Sequence, residues 1–389
     1  MNFRLSREDE YAPVRRLWGQ CFGEEEPWTS WYFSRHYRAD QIWVGVEDGN
    51  ILAQAHLLPY RLMLRGAWRE AVYFVGVCVE EQLRGTGIGR DLMASALAEL
   101  KRTGVSVSIL QPRWPVFYRK LGWDYCYSRQ KYSMALTKAR QQLNGFFPEG
   151  NWTPDEQAIE PLATLYEYFV RTRHGYAWRG RQDWDDLLAD HRSEGGRVGI
   201  FSRDGIPAGY VLYKTQDHIL RVREMVWRDN WVVDALWQCM VSQTGLTGDE
   251  SLEWDDPAGD PGSILYSGTQ SEPFLMGRIT DIQTVLAELE YPTDLSMELD
   301  LTVTDSLTPW NEGAFHWSIR QGKSTLLPLP PGLTPGPSVD IGAMSQMVFG
   351  ERPAREILAA RNGNRWSEAD LAILEQAFPV CRNFISEYY

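Results

Sequence analysis

The sequence predicts an α+β protein that contains more than one domain. Its 389 residues suffice for two or three hydrophobic cores at roughly 100–200 residues each. Stretches with strand patterning occur in the first third of the chain and again towards its C-terminus, and stretches with helical spacing lie between them. The composition is 43% hydrophobic and 23% charged, which is typical of globular proteins, so we expect each domain to have a buried core.

The first domain is expected to begin with a helix and to continue as a sheet. Tyr11, Val14 and Trp18 recur at helical spacing, which predicts a helix over residues 7–19. Pro59 interrupts the strand patterning that follows, so we expect separate antiparallel strands on its two sides. The predicted strands cover residues 41–47, 51–60, 61–68 and 71–79. The last of them is apolar on both faces, as a central buried strand is.

The remainder of the chain repeats this alternation of helices and strands. A hairpin is predicted around residues 204–205, and alternating patterns predict an antiparallel sheet in residues 297–303 and 315–319. Ser367 and Asp370 have the spacing of a capping box, which predicts the start of a closing helix. Two further helices are predicted over residues 161–172 and 182–191.

The composition and charge disfavour several classes of function. A net charge of −13 argues against a nucleic-acid partner. The longest apolar run, residues 71–79, is about half of the ~20 residues that cross a bilayer, and residues 1–10 lack the apolar core of a secretory signal. The six histidines and five cysteines form no metal-ligand pattern. We therefore expect a cytoplasmic protein with reduced cysteines and without a metal, nucleic-acid or membrane partner.

The clearest chemical signal is a loop of small residues between a predicted strand and a predicted helix. Such a loop leaves backbone N–H groups accessible at the start of the helix, where pyrophosphate oxygens bind well. A dinucleotide fingerprint would need Gly or Ala at Arg90, and a P-loop would need G-K-[ST], so neither pattern fits. The strand ends with Val77, Cys78 and Val79, and the loop contains Arg84, Gly85, Thr86, Gly87, Ile88, Gly89 and Arg90.

This loop has the pattern R-x-x-G-x-G and resembles the acyl-CoA loop of the GNAT N-acetyltransferases. In that fold the preceding strand separates from its neighbour, so the resemblance implies that the strand end and the loop bind acetyl-CoA. Residues 117–123 (FYRKLGW) resemble the family segment F-Y-x-K-x-G-F, whose Tyr protonates the departing CoA thiolate. The resemblance thus implies that Tyr118 is the general acid. The alternative is a core aromatic side chain with a satisfied hydroxyl.

The full length of the chain is similar to the Eis-like (enhanced intracellular survival) GNAT acetyltransferases. Beyond the first domain, the matching residues lie in 340–345, 354–358 and 385–389. The resemblance implies two tandem GNAT folds, the second degenerate and without its own CoA loop, followed by a sterol-carrier-protein-like (SCP2-like) α/β domain. The expected boundaries are 1–136, 137–280 and 281–389. The resemblance also implies a homo-oligomer, since the family forms hexamers.

The same resemblance implies where the general base lies. An amine is mostly protonated near pH 7 and must lose a proton before it attacks a thioester. In the Eis-like enzymes the chain ends inside the active site of the first domain, so the implied base is the α-carboxylate of Tyr389. Burial would have to raise its pKa. Glu80 and Glu81 are alternative bases by simple GNAT analogy, and an exposed tail is the alternative state of the terminus.

The residues for the acceptor amine form a less specific pattern. Acidic residues beside aromatic ones can hold an ammonium group by charge and cation–π contact. The same residues can equally form an acidic helix start followed by a packed aromatic face. The candidates are Glu24, Glu25, Glu26, Trp28, Trp31 and, beside the chain end, Glu387.

The sequence thus predicts an acetyl-CoA-dependent N-acetyltransferase that acts by direct attack in a ternary complex. The expected acceptor is a primary amine of a small cationic or lysine-bearing substrate, which leaves aminoglycosides, polyamines and lysines open. A covalent acyl intermediate on Cys78 is disfavoured, because a cysteine in a buried strand normally acts as a small hydrophobe. Two alternatives stay open: a lipid- or sterol-binding module without catalysis, and an acyltransferase that uses longer acyl-CoA.

Overall fold

The structure, a computed structural model, describes residues 1–23, 26–243, 250–256, 270–361 and 366–388. In these residues the chain forms two seven-stranded sheets and one four-stranded sheet, with helices packed against them. This is the α+β class that the sequence predicts. No helix in the described part of the chain combines the length and apolar character that a membrane span needs.

Three consecutive sections of the chain supply these elements. The first contains β1 (Asn2–Leu5), α1 (Tyr11–Phe22), α2 (Trp28–His36), β2 (Ile42–Glu47), β3 (Asn50–Leu64), β4 (Ala67–Val79), α3 (Ile88–Arg102), β5 (Val107–Leu110), α4 (Pro115–Lys120) and β6 (Asp124–Tyr125). The second contains β7 (Ser128–Ala135), α5 (Leu136–Leu143), β8 (Asn151–Thr153), α6 (Glu160–Val170), α7 (Arg181–Ser193), β9 (Arg197–Arg203), β10 (Ile206–Gln216), β11 (Ile219–Trp227), α8 (Asn230–Gln243), β12 (Ser251–Asp256), β13 (Gln270–Pro273) and β14 (Met276–Ile279). The third contains α9 (Ile282–Glu288), β15 (Met297–Thr304), β16 (Gly313–Arg320), β17 (Lys323–Pro328), β18 (Ser338–Asp340), α10 (Ile341–Phe349), α11 (Ala354–Ala359) and α12 (Glu368–Ala377).

Two strands join the sheet of a neighbouring section. The first sheet has the order β1-β2-β3-β4-β5-β14-β6, and the second has the order β13-β7-β12-β11-β10-β9-β8. The expected boundary at residue 136 therefore does not separate the two sheets, because residues 128–135 belong to the second sheet and residues 276–279 to the first. Sequence patterning reports which face of a strand is buried, and it does not report which sheet the strand joins.

Strand β3 runs without interruption through Pro59, where the sequence predicts two strands. Its pairing with β2 ends at His56, so Pro59 lies beyond the part of β3 that β2 covers and pairs with Val72 of β4. Proline lacks an N–H group and is tolerated where one edge of a strand is free. The turn comes instead at Arg65 and Gly66, which have φ angles of 47° and 78°.

Helix α1 begins later than the sequence predicts. A 3₁₀ turn at Glu8–Glu10 precedes it, and the Glu10 carboxylate accepts the Arg7 backbone N–H at 2.8 Å. The other predicted landmarks agree with the structure. Asp204 lies in the turn between β9 and β10, and β15 pairs antiparallel with β16. The Asp370 backbone N–H donates to Ser367 Oγ at 3.1 Å, as the predicted capping box requires.

Buried contacts join the third section to the first sheet. Helix α10 is buried along its whole length and packs against β14 and β6. Arg278 of β14 donates to Asp305 Oδ2 at 2.7 Å, and its guanidinium lies over the Trp123 ring, 5.0 Å from the centroid. Both charged side chains are almost completely buried. These contacts hold the end of the first section against the third.

Candidate active site

Strand β4 extends beyond its pairing with its parallel neighbour β5. The two strands pair only over residues 71–74 and 107–110, whereas β4 continues to Val79. In the described chain no strand pairs with residues 75–79 on the side that faces β5. Backbone N–H and C=O groups along this edge are therefore available to a ligand.

A β-bulge shapes this free end of β4. The pairing with β3 shifts by one residue between Gln54 and His56, next to Gly76. Gly76 has a φ angle of +60°, and a Cβ atom there would lie 2.0 Å from the Trp18 ring of α1. The bulge therefore requires glycine, and bulges of this kind redirect the strand that carries them.

The predicted glycine loop connects β4 to α3. Gly85 and Gly87 have φ angles of +80° and +99°, and nothing in the described chain lies within 4 Å of where their Cβ atoms would be. Gly87 is the N-cap of α3 and Gly89 lies in its first turn, close to Phe117. Because the first N–H groups of a helix have no intrahelical partner, this exposed helix start can bind an anion such as pyrophosphate.

The two arginines of the loop motif both contact other parts of the protein. Arg84 folds back towards β4, where its Nε donates to the Val79 carbonyl at 3.2 Å and its Nη2 lies 3.4 Å from Cys21 Sγ. Arg90 donates to the Ser306 carbonyl of the third section at 2.8 Å. Arg84 thus supports the end of the strand, and Arg90 fixes the start of α3 to the third section.

Two thiols lie close together beside the bulge. A hydrogen bond with Cys78 and the Arg84 guanidinium lower the pKa of the Cys21 thiol to about 6, against the effect of burial. Burial and the same hydrogen bond raise the pKa of Cys78. The sequence analysis did not identify Cys21, since it lies 58 residues from Val79 and belongs to no local motif. Cys78 is buried, as expected for a small hydrophobe in a central strand.

Tyr118 lies in α4, close to the free end of β4. Its side chain packs against the rings of Phe117 and Trp123, at centroid distances of 5.1 and 6.3 Å. Burial, together with the Cys78 thiol, raises its pKa. Among the described residues its hydroxyl has no hydrogen-bond partner. A buried phenol without a partner differs from the core tyrosine with a satisfied hydroxyl that is the alternative interpretation.

The residues predicted to hold the acceptor amine do not form one cluster. Glu26 is exposed, and its carboxylate accepts from Arg15 at 3.2 Å and from the Ser30 hydroxyl at 2.8 Å. Trp31 packs against His36 at a centroid distance of 5.2 Å. These contacts agree with the interpretation as a helix start and a packed aromatic face. Glu24 and Glu25 lie outside the described residues.

Trp28 differs from these residues because it lines a cleft between the first two sections. The cleft has a volume of about 280 Å³ and contains acidic and basic side chains. Tyr388, next to the last residue of the chain, lines the same cleft. Its lining residues are Trp28, Asp190, His191, Glu194, Lys214, Arg221, Val222, Arg223, Asp255 and Tyr388.

The C-terminal segment is buried and not frayed in its described part. Phe384, Ile385 and Ser386 are each 1% exposed. The Glu387 carboxylate accepts from Arg179 Nε at 2.9 Å, so its charge is engaged by a buried guanidinium and not by the cleft. Tyr389, the predicted base, lies outside the described residues.

Sequence reasoning missed the buried pair of Arg179 and Glu224, which contacts this segment. Glu224 and Arg179 are 45 residues apart, and Glu387 is 208 residues from Arg179, so no local motif links them. One signal was available: Glu224 is an acidic residue in a strand that is otherwise apolar on that face. Among the described residues, no cluster of three or more His, Cys, Asp or Glu side chains is arranged to hold a metal ion.

Comparison with known domain families identifies three regions of the chain. Residues 2–126 and residues 170–279 each match an acetyltransferase (GNAT) domain. Residues 282–386 match a sterol carrier protein domain. No curated protein matches the sequence. The order of the three matches is the order that the sequence analysis predicts.

Solved structures with the same fold cover the full chain. The GCN5-related N-acetyltransferase of Anabaena variabilis ATCC 29413 has a TM-score of 0.84 at 18% identity, with 100% of both chains covered. A probable N-acyltransferase of unknown function from Enterococcus faecalis V583 has a TM-score of 0.85 at 20% identity, covering 100% of this chain and 99% of that one. Eis1 of Mycobacterium abscessus has a TM-score of 0.79 at 17% identity, with 100% of both chains covered. The protein is therefore an acyltransferase with an Eis-like architecture, in which two GNAT domains precede a sterol carrier protein domain.

Proposed function

We propose that the protein transfers the acetyl group of acetyl-CoA to a primary amine of a cationic acceptor, by direct attack in a ternary complex. The observation that carries this proposal is the free end of β4 beside the open start of α3. When bound, acetyl-CoA supplies an activated acetyl thioester. The exposed backbone of residues 75–79 fits the amides of its pantetheine arm, and the loop at Gly85 and Gly87 fits its pyrophosphate.

Within this proposal the predicted cofactor residues have different tasks. Val77, Val79 and the small residues of the loop provide backbone groups and space. Cys78 packs in the core beside α1, and Arg84 holds the Val79 carbonyl, so both support the strand end. Arg90 fixes the loop by its bond to Ser306. Backbone N–H groups near the end of β4 polarise the thioester carbonyl.

Tyr118 is the proposed general acid. Its hydroxyl keeps its proton at neutral pH because burial raises its pKa, and it has no competing hydrogen-bond partner in the described chain. Negative charge develops on the CoA sulfur only as the thioester bond breaks. A neutral phenol held at that position donates its proton to the leaving thiolate at that moment.

The α-carboxylate of Tyr389 is the proposed general base. The residues that lead to it support this role, since Ser386 is buried and Tyr388 lines the cleft together with Trp28. The carboxylate accepts a proton from the acceptor ammonium and frees the amine for attack. Of the alternative bases, Glu81 is exposed, which makes it a poor candidate for a desolvated base.

The structure gives no support to the alternative of a lipid- or sterol-binding module. In the third section, the rings of Trp317 and Phe378 stack at a centroid distance of 5.4 Å, and Tyr291 packs on Phe378 at 6.5 Å. All three side chains are buried. These rings fill the space between the four-stranded sheet and its helices, where a carrier protein would need room for a ligand.

The proposal is tested by measuring CoA release from acetyl-CoA with a panel of polyamines, aminoglycosides and lysine peptides. Tyr118→Phe should lower turnover by about 10²–10⁴-fold and leave acetyl-CoA affinity unchanged, because the hydroxyl acts only as charge develops on sulfur. Tyr127→Phe is the matched control, since it removes a buried hydroxyl that bonds to Gly175. Wild-type turnover in Tyr118→Phe, or no CoA release with any amine, would overturn the proposal.

A further inference from the structure

A buried ion pair in the second GNAT domain contacts the last residues of the chain. The side chains of Arg179 and Glu224 are 2% and 1% exposed. The guanidinium donates to the two carboxylate oxygens of Glu224 at 2.9 and 2.7 Å. It also lies over the rings of Tyr166 and Trp184, 4.3 and 4.9 Å from their centroids. Two parallel hydrogen bonds and two rings therefore fix the guanidinium in one orientation.

The remaining donors of Arg179 reach the C-terminal segment. Nη2 donates to Ser386 Oγ and Nε donates to Glu387 Oε1, each at 2.9 Å. The Ser386 hydroxyl in turn donates to Glu224. Tyr210 also donates to Glu224, at 2.5 Å, and among the described residues this is its only side-chain hydrogen bond. One guanidinium thus binds a carboxylate of the sheet and a carboxylate of the segment at the same time.

A second set of contacts holds the segment just before Ser386. The Arg65 backbone N–H donates to His174 Nε2 at 2.9 Å, so His174 Nδ1 carries the proton and donates to Asn383 Oδ1 at 2.6 Å. Phe384 packs against the Phe169 ring of α6 at a centroid distance of 5.2 Å. The segment is therefore fixed at three consecutive points within the second domain.

From this anchor the segment leads to the first domain. The Tyr73 hydroxyl of β4 donates to the Glu387 carbonyl at 3.4 Å. Tyr388 packs on Phe274 at a centroid distance of 5.2 Å and shares the cleft with Trp28 of α2. The last described residues therefore lie between the second domain and the strand that forms the candidate active site.

We propose that the second GNAT domain serves catalysis by positioning the chain terminus, with Arg179, Glu224 and Ser386 as its positioning residues. This inference rests on the proposed role of the Tyr389 carboxylate as general base. A terminal residue is mobile unless something holds it, and a base acts only within hydrogen-bond reach of the proton that it removes. The network fixes the chain three residues before Tyr389, so the terminal carboxylate samples a small volume next to β4.

The test compares Ser386→Ala with Tyr210→Phe in the full-length protein. Both variants remove a hydroxyl that donates to Glu224, but only Ser386→Ala disconnects the segment from Arg179. We expect Ser386→Ala to lower kcat by about 10-fold, as for the loss of hydrogen bonds to charged groups, with unchanged acetyl-CoA affinity. The acid limb of its kcat–pH profile should move to lower pH, because a less buried α-carboxylate returns towards its ordinary pKa near 3.5. Tyr210→Phe should keep the wild-type kcat and pH profile.

Two further proteins keep the outcomes separable. Glu387→Gln retains an oxygen for Arg179 and should show the same changes as Ser386→Ala in weaker form, which serves if Ser386→Ala does not fold. Protein with an amidated C-terminus tests the base itself. If amidation abolishes turnover while Ser386→Ala and Glu387→Gln match Tyr210→Phe, the positioning role is wrong and the base stands. If the amidated protein works at the native rate, the base is wrong, and the positioning role is overturned with it.

Discussion

The two GNAT domains have the same strand arrangement at their centres and use it differently. In the first domain β4 pairs in parallel with β5 over residues 71–74, and in the second β11 pairs in parallel with β12 over residues 219–222. Each central strand then continues, and each has a bulge just past the last parallel pair, at Gly76 in β4 and at Arg223 in β11. The divergence of the two domains therefore begins after the bulge.

Beyond the bulge, the two strand ends have opposite character. In the first domain the strand leads into the open glycine loop and the exposed start of α3. In the second, α8 begins at Asn230, soon after β11 ends, without a glycine loop. Glu224 occupies this strand end, where Arg179 and Ser386 bind it. The comparison indicates that one copy of the fold leaves its strand end free for a ligand, while the other binds the chain's own C-terminal segment.

Removing the cation of the second domain should have the largest effect on stability. Arg179→Met would leave Glu224 buried without its partner, and an uncompensated buried charge costs about 3–5 kcal/mol of unfolding free energy. Urea denaturation measures this loss. Arg181→Met is the control, because the pair of Arg181 with Glu160 is exposed and such pairs contribute little. Equal losses in the two variants would contradict the central role of the buried pair.

Filling the bulge of the first domain should have the next largest effect. In Gly76→Ala the new methyl group would overlap the Trp18 ring, and we expect a loss of about 1–3 kcal/mol together with weaker acetyl-CoA binding. Gly85→Ala is the matched control, since it has a similar positive φ angle but open space around the new Cβ atom. Thermal unfolding and calorimetric titration provide the two readouts. If the two variants lose the same stability, the close contact with Trp18 has no energetic consequence.

Acidification should loosen the second domain's hold on the C-terminal segment by a smaller amount. Burial lowers the pKa of His174 from 6.5 to about 4, with the Asn383 hydrogen bond opposing and Arg65 adding to the effect. Between these two values the unfolded chain holds the proton and the folded protein does not, so stability falls as pH decreases from 6.5 to 4. His174→Gln should flatten this slope in urea denaturation series. An unchanged slope would show that His174 does not titrate with unfolding.

The acyl-CoA loop and Tyr118 could be predicted from the sequence because their signals are local. The loop pattern spans residues 84–89, and the segment around Tyr118 spans residues 117–123, so each is contained in a few neighbouring residues. The same holds for the capping box at Ser367 and for the hairpin turn at Asp204. Local chemistry of this kind can be recognised without knowledge of the tertiary fold.

The features that could not be predicted depend on contacts between distant residues. Strand β14 joins the first sheet only because β5 and β6 leave a gap of one strand between them. Cys21 becomes part of the site only because α1 packs against β4. The acceptor residues were assigned from local charge, yet Glu26 binds Arg15 and Glu387 binds Arg179. Charge and spacing in the sequence do not specify which of several possible partners a carboxylate will meet.

The central claim is that the free strand end of the first domain binds acetyl-CoA and that the second domain does not. Calorimetric titration with acetyl-CoA tests it most directly, on Gly87→Glu and on the matched variant Gly205→Glu. Both glycines have positive φ angles and open surroundings, but Gly205 lies in a hairpin turn of the second domain. We predict one binding site per chain in the wild type and in Gly205→Glu, and no binding in Gly87→Glu, where a carboxylate would replace the pyrophosphate. Unchanged affinity in folded Gly87→Glu, or two sites per wild-type chain, would contradict the claim.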